Sequence, residues 1–355
     1  MRREPSEDDA EVLLAMLSRT DDEALKSLLL EDLHWTTRNL EDDLRGQLLT
    51  RAAVLNLPLF AREGLDPSKL PSRAGIKRRP VDMLLITVKL PELRAVQLAF
   101  GIDFGEDPTL VDRQIRFWER DVEARYKAEP VRVAITMASF DANYRMAAFC
   151  ASILTTYSPR YVVLVGMAAG VEGRVRLGDV VVADSVIDFG HGVLTPTGFM
   201  SRALSYSLDP NVARGLSFFD PHEHGWIGVV RELLAPFAEM EVVGSMSLPS
   251  GRVDLNPSFV RGTILSGDVL VEDGSLPAMR EKYGDRVTAL EMEGAGFAYT
   301  FDSNAIPWMV FRGIADFGGE GRTKEWQFVS AVAAAAALRV LVEKSFIFEY
   351  PESGF

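Results

Sequence analysis

The sequence predicts an α/β domain with a mixed, mostly parallel sheet over residues 81–348, preceded by a small all-α domain over residues 1–72. Three observations support this prediction. Short segments rich in Val and Ile alternate with longer helical segments in the C-terminal part, as expected of a sheet covered by helices on both faces. Residues 8–60 instead repeat leucine at helical spacing between acidic residues. A segment rich in glycine, proline and basic residues separates the two patterns.

The N-terminal pattern predicts several short helices. Asp21 and Asn39 stand where helix N-caps are expected, and acidic residues follow near the positive ends of the predicted helices. Residues 62–80 then combine four glycine or proline positions with the basic run Lys-Arg-Arg before Pro80. We therefore place a linker at residues 73–80 and the domain boundary there.

The second domain is predicted to alternate strands and helices. Strands are predicted at residues 83–88, 131–137, 161–165, 180–183, 263–265 and 308–311. Helices are predicted at residues 145–156, 292–301 and 324–342. Residues 194–259 show weak periodicity with Asp-Pro turn signals, and we interpret them as an insertion of unassigned role.

The composition excludes several functional classes. The net charge of −13 opposes binding to nucleic acid or anionic lipid, because both require a basic surface. Cys150 is the only cysteine, which excludes an intrachain disulfide and a thiolate metal cluster. The acidic N-terminus lacks the apolar core of a signal peptide, and the most apolar stretch, residues 331–342, is shorter than a bilayer span. We therefore expect a cytoplasmic protein that binds neither nucleic acid nor membrane.

Three segments place acidic residues or glycines after predicted strands, where α/β sheets bind ligands. The first, residues 84–94, runs from a strand into a turn that contains Glu92. The second, residues 163–184, contains the run Gly-Met-Ala-Ala-Gly. The third, residues 289–317, begins with Ala-Leu-Glu-Met-Glu-Gly-Ala and ends with Arg-Gly-Ile-Ala-Asp-Phe.

In this order the three segments resemble the nucleoside phosphorylase and nucleosidase superfamily, and within it the hydrolytic 5′-methylthioadenosine/S-adenosylhomocysteine nucleosidases. The resemblance covers most of residues 81–344 and depends on the three segments together, since the glycine segment by itself is a weak signal. It implies a three-layer, nucleoside phosphorylase-like domain that forms a homo-oligomer, a dimer or larger. It also implies cleavage of the N-glycosidic bond of a purine nucleoside or nucleotide.

The resemblance assigns three catalytic residues. Cleavage passes through an oxocarbenium-like state, so the base must gain a proton and water must reach the anomeric carbon. Asp316 matches the carboxyl that protonates or hydrogen-bonds the purine, which requires a carboxyl able to hold a proton near neutral pH, as partial burial provides. Glu92 matches the glutamate that positions and deprotonates the water, and Arg312 corresponds to a side chain near that water.

The resemblance also assigns substrate-binding residues. Glu293 matches the carboxylate that accepts hydrogen bonds from both ribose hydroxyls, and Met292 matches the residue that packs on the sugar. Residues 266–271, Ser-Gly-Asp-Val-Leu-Val, resemble the base-binding segment. Leu270 stands where the family has an aromatic residue that stacks on the purine, so weaker stacking is expected. The remaining predicted contacts in these segments are Gly166, Met167 and Val271.

Each assigned residue also has a purely structural interpretation. Glu92 would stabilise a helix N-terminus, and Asp316 would cap a loop. Glu291 and Glu293 would be solvated helix residues, and glycines such as Gly166 would serve turns. Residue types alone favour these interpretations, whereas the ordered set of motifs favours the catalytic one.

The nucleophile is predicted from two positions. Bacterial phosphorylases of the superfamily bind phosphate with an arginine and a serine around the glycine segment, and here Leu164 and Met167 stand at the corresponding positions. Neither side chain bonds phosphate, so water is the expected nucleophile and a phosphate-dependent phosphorylase is the alternative. The family's glycine-rich loop also differs, because residues 139–145 read Ser-Phe-Asp-Ala-Asn-Tyr-Arg and change the sugar pocket.

The 5′ substituent of the substrate is predicted from Lys89, which stands where related nucleosidases pack an apolar residue beside the 5′-thioalkyl group. Arg94 is nearby in sequence, and Arg145 lies on the altered loop. Cations favour an anionic substituent, since ammonium and guanidinium groups bind phosphate. We therefore expect AMP or ATP rather than a thioether nucleoside. In the alternative interpretation, Lys89 extends to water.

Residues 1–72 are absent from simpler nucleosidases. Their acidic, leucine-rich helices resemble the small death-fold-like effector-associated domains that precede effector enzymes in bacterial conflict and signalling proteins. This resemblance implies a protein partner for the helices and a regulated nucleotide-depleting effector, whereas the alternative is an oligomerisation or packing extension. A catalytically silent nucleotide-binding sensor is the alternative from another functional class.

The sequence predicts no metal site. His222 and His224 form a His-x-His pair in a predicted loop, but no third ligand accompanies them in the sequence. The chemistry implied by the resemblance needs no metal ion or other cofactor.

Overall fold

The computed structural model describes residues 78–125, 127–196, 198–237, 256–319 and 324–344. The predicted helices of residues 1–72 lie outside these described residues and stay predictions, as does most of the predicted linker. The first described strand begins at Arg79, before the predicted start of the domain at residue 81.

The described residues alternate strands and helices through most of their length. The strands are β1 (Arg79–Thr87), β2 (Leu110–Asp112), β3 (Ile115–Val122), β4 (Val131–Met137), β5 (Tyr157–Gly170), β6 (Val180–Asp188), β7 (Gly192–Thr195), β8 (Gly198–Ser201), β9 (Leu204–Ser207), β10 (Phe259–Ser266), β11 (Val287–Glu291) and β12 (Trp308–Asp316). The helices are α1 (Leu90–Ala99), α2 (Asn143–Ile153), α3 (Pro210–Ser217), α4 (Trp226–Leu234), α5 (Leu276–Tyr283), α6 (Gly294–Ser303) and α7 (Glu325–Lys344).

Among the described residues, ten strands form one mixed sheet in the order β11-β10-β6-β12-β5-β1-β4-β3-β2, with β9 paired to β6. The pairs among β4, β1, β5 and β12 are parallel, as are those among β6, β10 and β11. The β12–β6, β6–β9 and β2–β3–β4 pairs are antiparallel. The mixed α/β architecture predicted from the sequence is confirmed, although antiparallel pairs are more frequent than a mostly parallel sheet implies.

The end of β5 closes part of this sheet on itself. Gly170 of β5 pairs with Ala289 of β11, and Ala169 pairs with Leu290. Strands β5, β12, β6, β10 and β11 therefore form a closed ring. Closure brings together the C-terminal ends of β5, β11 and β12, which carry parts of the second and third sequence motifs.

The segment interpreted as an insertion is partly ordered. Within its described residues, β7 and β8 form a separate hairpin, β9 adds to β6, and α3 and α4 follow. Helix α4 packs against α7, so part of this segment contributes to the core.

Helix α7 is 20 residues long and contains the apolar stretch identified in the sequence at residues 331–342. By length and composition this helix is able to cross a bilayer, but most of it is buried inside the domain. It packs against α1, α4 and β12, and its residues from Phe328 to Leu338 are all buried. We therefore assign α7 to the hydrophobic core.

The contact of α7 with β12 depends on Gly313. A Cβ at this position would lie 1.9 Å from the carbonyl oxygen of Ser330 on α7. The Ser330 hydroxyl donates a hydrogen bond to the Ile314 carbonyl at 2.7 Å, which holds the helix at this short distance. Only glycine permits this approach, because the clash would be with backbone rather than with a flexible side chain.

We expect Gly313→Ala to lower the free energy of unfolding by about 1–3 kcal/mol, because the new methyl group forces α7 away from β12. Urea unfolding followed by circular dichroism measures the change. Gly228→Ala on α4 is the matched control, since a Cβ there meets nothing within 4 Å. That control should raise stability by about 0.5–1 kcal/mol, as alanine favours helix. Equal unfolding midpoints for the two variants would contradict the predicted contact.

Candidate active site

A small pocket with a volume of about 190 Å³ opens at the closed end of the ring. Eight of the sequence-predicted residues line it: Lys89, Glu92, Met167, Leu270, Val271, Met292, Glu293 and Asp316. The other lining residues were not predicted: Val88, Asp141, Ala168, Ala169, Leu290, Glu291, Ala315 and Gln327. The structure thus brings residues from all three motifs to one cavity.

Glu92 both stabilises a helix N-terminus, as its structural interpretation predicted, and lines the pocket, as its functional interpretation predicted. It lies in the first turn of α1, and its Oε2 accepts hydrogen bonds at 2.8 Å from the backbone N–H groups of Val88 and Lys89. Its Oε1 accepts the Met167 N–H of β5 at 2.9 Å. One carboxylate oxygen therefore caps the helix, while the other joins α1 to the end of β5 inside the pocket.

Gly166 lies behind this carboxylate in β5 rather than in a turn, and it does not line the pocket. A Cβ here would lie 2.2 Å from Glu92 Oε1 and 2.5 Å from Arg312 Nη1. The sheet register pairs Gly166 with Arg312, so the arginine side chain passes over the glycine. The absence of a side chain at this position lets the carboxylate and the guanidinium approach each other.

Arg312 is fully buried beneath the pocket floor. Its Nη2 donates hydrogen bonds to Glu291 Oε2 and, at 3.2 Å, to Glu293 Oε2. Its Nη1 lies 3.8 Å from Glu92 Oε1 and, like Nε, has no hydrogen-bond partner within the described part of the chain. Burial lowers the pKa of Arg312, but the charges of the three glutamates outweigh burial and raise it, so the guanidinium is charged.

Glu291 lines the pocket, although the sequence interpretation did not assign it to the site. It ends β11 and is buried, not solvated. Its carboxylate accepts hydrogen bonds from the backbone N–H groups of Glu293 at 3.1 Å and Gly294 at 2.9 Å, in addition to that from Arg312. An acid at the end of a fully buried strand is the sequence signal that indicates this role, and it is visible only once β11 is recognised as a strand.

Glu293 is also buried, so the interpretation as a solvated helix residue is wrong for both acids. Burial raises the pKa of Glu293 well above its usual range, and the negative charge of Glu291 raises it further. Arg312 opposes these effects, while Glu92 and Asp141 add to them. Met292 lies between the two acids in the chain and lines the cavity.

Asp316 is the last residue of β12 and is buried at the pocket wall. Its Oδ1 accepts the Gly318 N–H at 2.9 Å, so it caps the following turn while also lining the cavity. Val271 and Leu270 follow β10 and line the pocket, and Leu270 is half exposed.

Of the predicted cations at the 5′ position, the structure brings only Lys89 to the cavity. Its Nζ lies 3.3 Å from Asp141 Oδ2, and both side chains are about half exposed. Arg145 does not line the pocket, because its Nε donates to the Tyr144 hydroxyl at 2.9 Å. Arg94 also turns away and donates to the Phe104 carbonyl. Both arginines are held by local partners that the sequence pattern did not reveal.

The histidine pair packs against aromatic rings. His222 lies edge-on to Trp226 with ring centroids 5.2 Å apart, and His224 stacks on Phe219 at 6.0 Å. Among the described residues, no group of three or more His, Cys, Asp or Glu side chains is placed to hold a metal ion.

Comparison with known proteins identifies related sequences. A family model described as the Phosphorylase superfamily matches residues 119–344. The ATP nucleosidase Cap17 of Escherichia coli (strain KTE188) is 25% identical over 258 residues, which cover 71% of this chain and 49% of that protein. The chain therefore spans about half the length of this relative. The 5′-methylthioadenosine/S-adenosylhomocysteine nucleosidase of Mycobacterium bovis is 30% identical over 197 residues, which cover 52% of this chain and 69% of that enzyme.

Solved structures share the fold. The 5′-methylthioadenosine/S-adenosylhomocysteine nucleosidase of Neisseria meningitidis, in complex with methylthio-immucillin-A, has a TM-score of 0.53 and 16% identity, covering 74% of this chain and 98% of that one. The futalosine hydrolase of Helicobacter pylori has a TM-score of 0.50 and 17% identity, covering 74% and 97%. At these identities the similarity shows the fold.

We expect Arg312→Met to lower the free energy of unfolding by about 3–5 kcal/mol at pH 8, because it leaves buried carboxylates without their counter-charge. Loss of the guanidinium raises the pKa of Glu293 still further, so protonation of Glu293 relieves part of the repulsion at pH 5. The loss should therefore be smaller at pH 5. Urea unfolding at both pH values measures it.

Arg132→Met is the matched control, since Arg132 forms an exposed ion pair with Asp121 at 3.3 Å. This control should change the unfolding free energy by less than about 1 kcal/mol. A loss for Arg312→Met that is the same at pH 5 and pH 8 would contradict the assigned charge network.

Proposed function

The chain belongs to the phosphorylase superfamily, and from this premise we propose that it hydrolyses the N-glycosidic bond of an adenine nucleoside or nucleotide to free base and sugar. The observation that carries the proposal is the pocket in which Glu92, Glu293 and Asp316 face one cavity above a buried arginine. The names of the relatives as nucleosidases support hydrolysis.

Asp316 is the proposed acid for the departing base. Cleavage of the glycosidic bond leaves negative charge on the purine, and a carboxyl group beside the imidazole-side nitrogen neutralises it by donating a proton or a hydrogen bond. Its position at the end of β12, fixed by the Gly318 N–H, suits a group that must hold its place during bond cleavage. Val271 and Leu270 would contact the base from the end of β10.

Glu92 and Arg312 are proposed to act on the water. Glu92 accepts the proton from the attacking water, and Arg312 Nη1, 3.8 Å from Glu92 Oε1, donates a hydrogen bond to the same water. A buried donor without a partner among the described residues is costly, which supports a role toward a bound oxygen atom.

Glu293 is proposed to accept hydrogen bonds from both ribose hydroxyls, with Met292 packed on the sugar. Glu291 holds Arg312 and the backbone of Glu293, so it positions both groups. The carboxylates around the cavity stabilise the positive charge that develops on the sugar in the oxocarbenium-like transition state.

Water is favoured over phosphate as the nucleophile. Leu164 is fully buried, and Met167 directs its backbone N–H to Glu92, so neither predicted phosphate position offers a side-chain donor to the cavity. Arg312 is already shared among three glutamates. A phosphate dianion would add negative charge beside these acids, whereas water adds none.

We propose that the preferred substrate carries a 5′-phosphate and is AMP or ATP. Lys89 is the only basic residue among the described residues that line the cavity. The relative named ATP nucleosidase supports this choice, and the relatives named as methylthioadenosine nucleosidases support an uncharged substituent instead.

We also propose that the protein acts as a cytoplasmic homo-oligomer, at least a dimer. Apolar side chains on the β7–β8 hairpin and after β10 are exposed, and a second copy would cover them. These side chains include Leu194, Phe199, Met200, Val269 and Leu270. Residues 1–72 are proposed to bind a protein partner and to control a nucleotide-depleting effector of bacterial defence or signalling, and only the resemblance of their predicted helices supports this proposal.

The test of the function is chromatography of the full chain incubated in phosphate-free buffer with adenosine, methylthioadenosine, AMP, ATP and guanosine. We expect adenine from the adenine substrates, with AMP or ATP preferred. Asp316→Asn should lower the rate by about 10²–10⁴-fold, because it removes the leaving-group acid.

Release of base only after phosphate is added, together with ribose 1-phosphate, would favour the phosphorylase alternative. Binding of nucleotides without any base release would favour the silent sensor. Arg132 does not line the cavity, so Arg132→Met is the control variant and should keep the wild-type rate.

The ionisation of Glu293 predicts how kcat/KM depends on pH. Its pKa is raised above the ordinary value of 4.5, and its ionised form accepts the ribose hydrogen bonds, so kcat/KM should rise with pH along a limb that lies above pH 4.5. Glu293→Gln should lower kcat/KM by roughly tenfold or more and should flatten this limb. Rates for adenosine between pH 4 and pH 9 measure both effects. An unchanged limb in Glu293→Gln would assign the titration to another group.

A further inference from the structure

Asp141 lies at the mouth of the cavity, yet the proposed reaction does not use it. Its carboxylate lines the pocket and forms the ion pair with Lys89, Nζ to Oδ2, at 3.3 Å. It is thus the direct partner of the one cation available to a 5′ substituent in the described lining. An anion bound to Lys89 would therefore lie close to this carboxylate.

The backbone around Asp141 adopts conformations that non-glycine residues rarely take. Ser139 has φ 66° and Ala142 has φ 95°, so left-handed residues stand on both sides of Asp141. Asn143 anchors the loop: its N–H donates to Asp268 Oδ1 at 2.6 Å, and its Oδ1 accepts hydrogen bonds from the Ser266 hydroxyl and the Gly296 N–H at 2.9 Å. Backbone strain maintained by several long-range contacts is typical of functional loops.

The Lys89–Asp141 pair is weak enough to be exchanged. Both side chains are about half exposed, so water screens the attraction and the pair adds little net stability. A phosphate bound to the same ammonium forms a charge-assisted contact with a more highly charged partner. The carboxylate and the phosphate cannot both occupy the same side of the ammonium without repelling each other.

We propose that Asp141 determines specificity at the 5′ subsite by competing with the substrate's 5′-phosphate for the Lys89 ammonium. The inference rests on the proposed function and names a residue that sets its substrate preference. Asp141 occupies Lys89 when the substrate is a nucleoside and must release it when the substrate is a nucleotide. The enzyme therefore favours nucleotides less than Lys89 alone would allow.

Removal of the competing charge should make the enzyme more selective for nucleotides. The quantity to measure is the ratio of kcat/KM for AMP to kcat/KM for adenosine. Asp141→Asn should raise this ratio by about two- to fivefold, through a lower KM for AMP. Lys89→Ala should lower it. Asp141 also raises the pKa of Glu293, but Glu293 faces the ribose that both substrates share, so this effect cancels in the ratio.

The double variant separates competition from simple repulsion. If Asp141 only repels phosphate, Asp141→Asn raises the ratio equally with and without Lys89. Competition for the ammonium predicts a smaller rise in the Lys89→Ala background. Asp121→Asn is the matched control, because Asp121 forms an ion pair with Arg132 of the same 3.3 Å length and similar exposure, with neither residue lining the cavity. It should leave the ratio unchanged.

The outcomes distinguish this inference from the proposed function. An unchanged or lower ratio in Asp141→Asn, or an equal rise in both backgrounds, overturns the inference and leaves the nucleosidase proposal in place. Absence of base release from both substrates overturns the proposed function. In that case calorimetric titration of AMP and adenosine into wild type and Asp141→Asn tests the inference about Asp141. Competition predicts that the variant binds AMP more tightly than wild type does. An unchanged AMP affinity overturns the inference.

Discussion

The fully buried guanidinium of Arg312 is the interaction on which the site depends. A single buried charge is costly unless it is paired, and here three carboxylates surround it: Glu92 from α1, Glu291 from the end of β11 and Glu293 from the start of α6. Glu92 is far in the chain from the adjacent acids Glu291 and Glu293, so the charge network forms only when α1, β11 and β12 adopt their final positions. Gly166 makes this possible because no side chain separates the arginine from Glu92.

The same contacts that hold the fold also orient the proposed catalytic groups. Glu92 caps α1 with one oxygen and reaches β5 with the other, and Asp316 caps a turn while lining the cavity. The structural and functional interpretations of these acids are therefore compatible. Burial raises the pKa of Glu293 in the same way, so the packing that stabilises the domain also sets the protonation behaviour of the proposed ribose-binding group.

The cavity divides into a buried inner part and a more exposed mouth. The inner part is built from strand ends and buried acids joined by hydrogen bonds. At the mouth, Lys89, Asp141 and Leu270 are about half exposed, and the contacts there are weaker and easier to exchange. This division is consistent with the proposed function, in which the inner acids act on the base and sugar and the exposed side chains at the mouth contact the 5′ substituent.

The sequence by itself determined the mixed α/β class, the bounds of β4, the approximate places of the other core strands and the acids Glu92, Glu293 and Asp316 as candidates. These features depend on local apolar periodicity and on short motifs, which neighbouring residues encode. Only the tertiary structure decided that Glu291 is buried, that Arg145 turns to Tyr144 and that Gly166 serves a close approach rather than a turn. The physical reason is that burial, ion pairing and the β5–β11 closure depend on contacts between residues far apart in the chain. Local sequence patterns do not indicate which of these distant residues will be in contact.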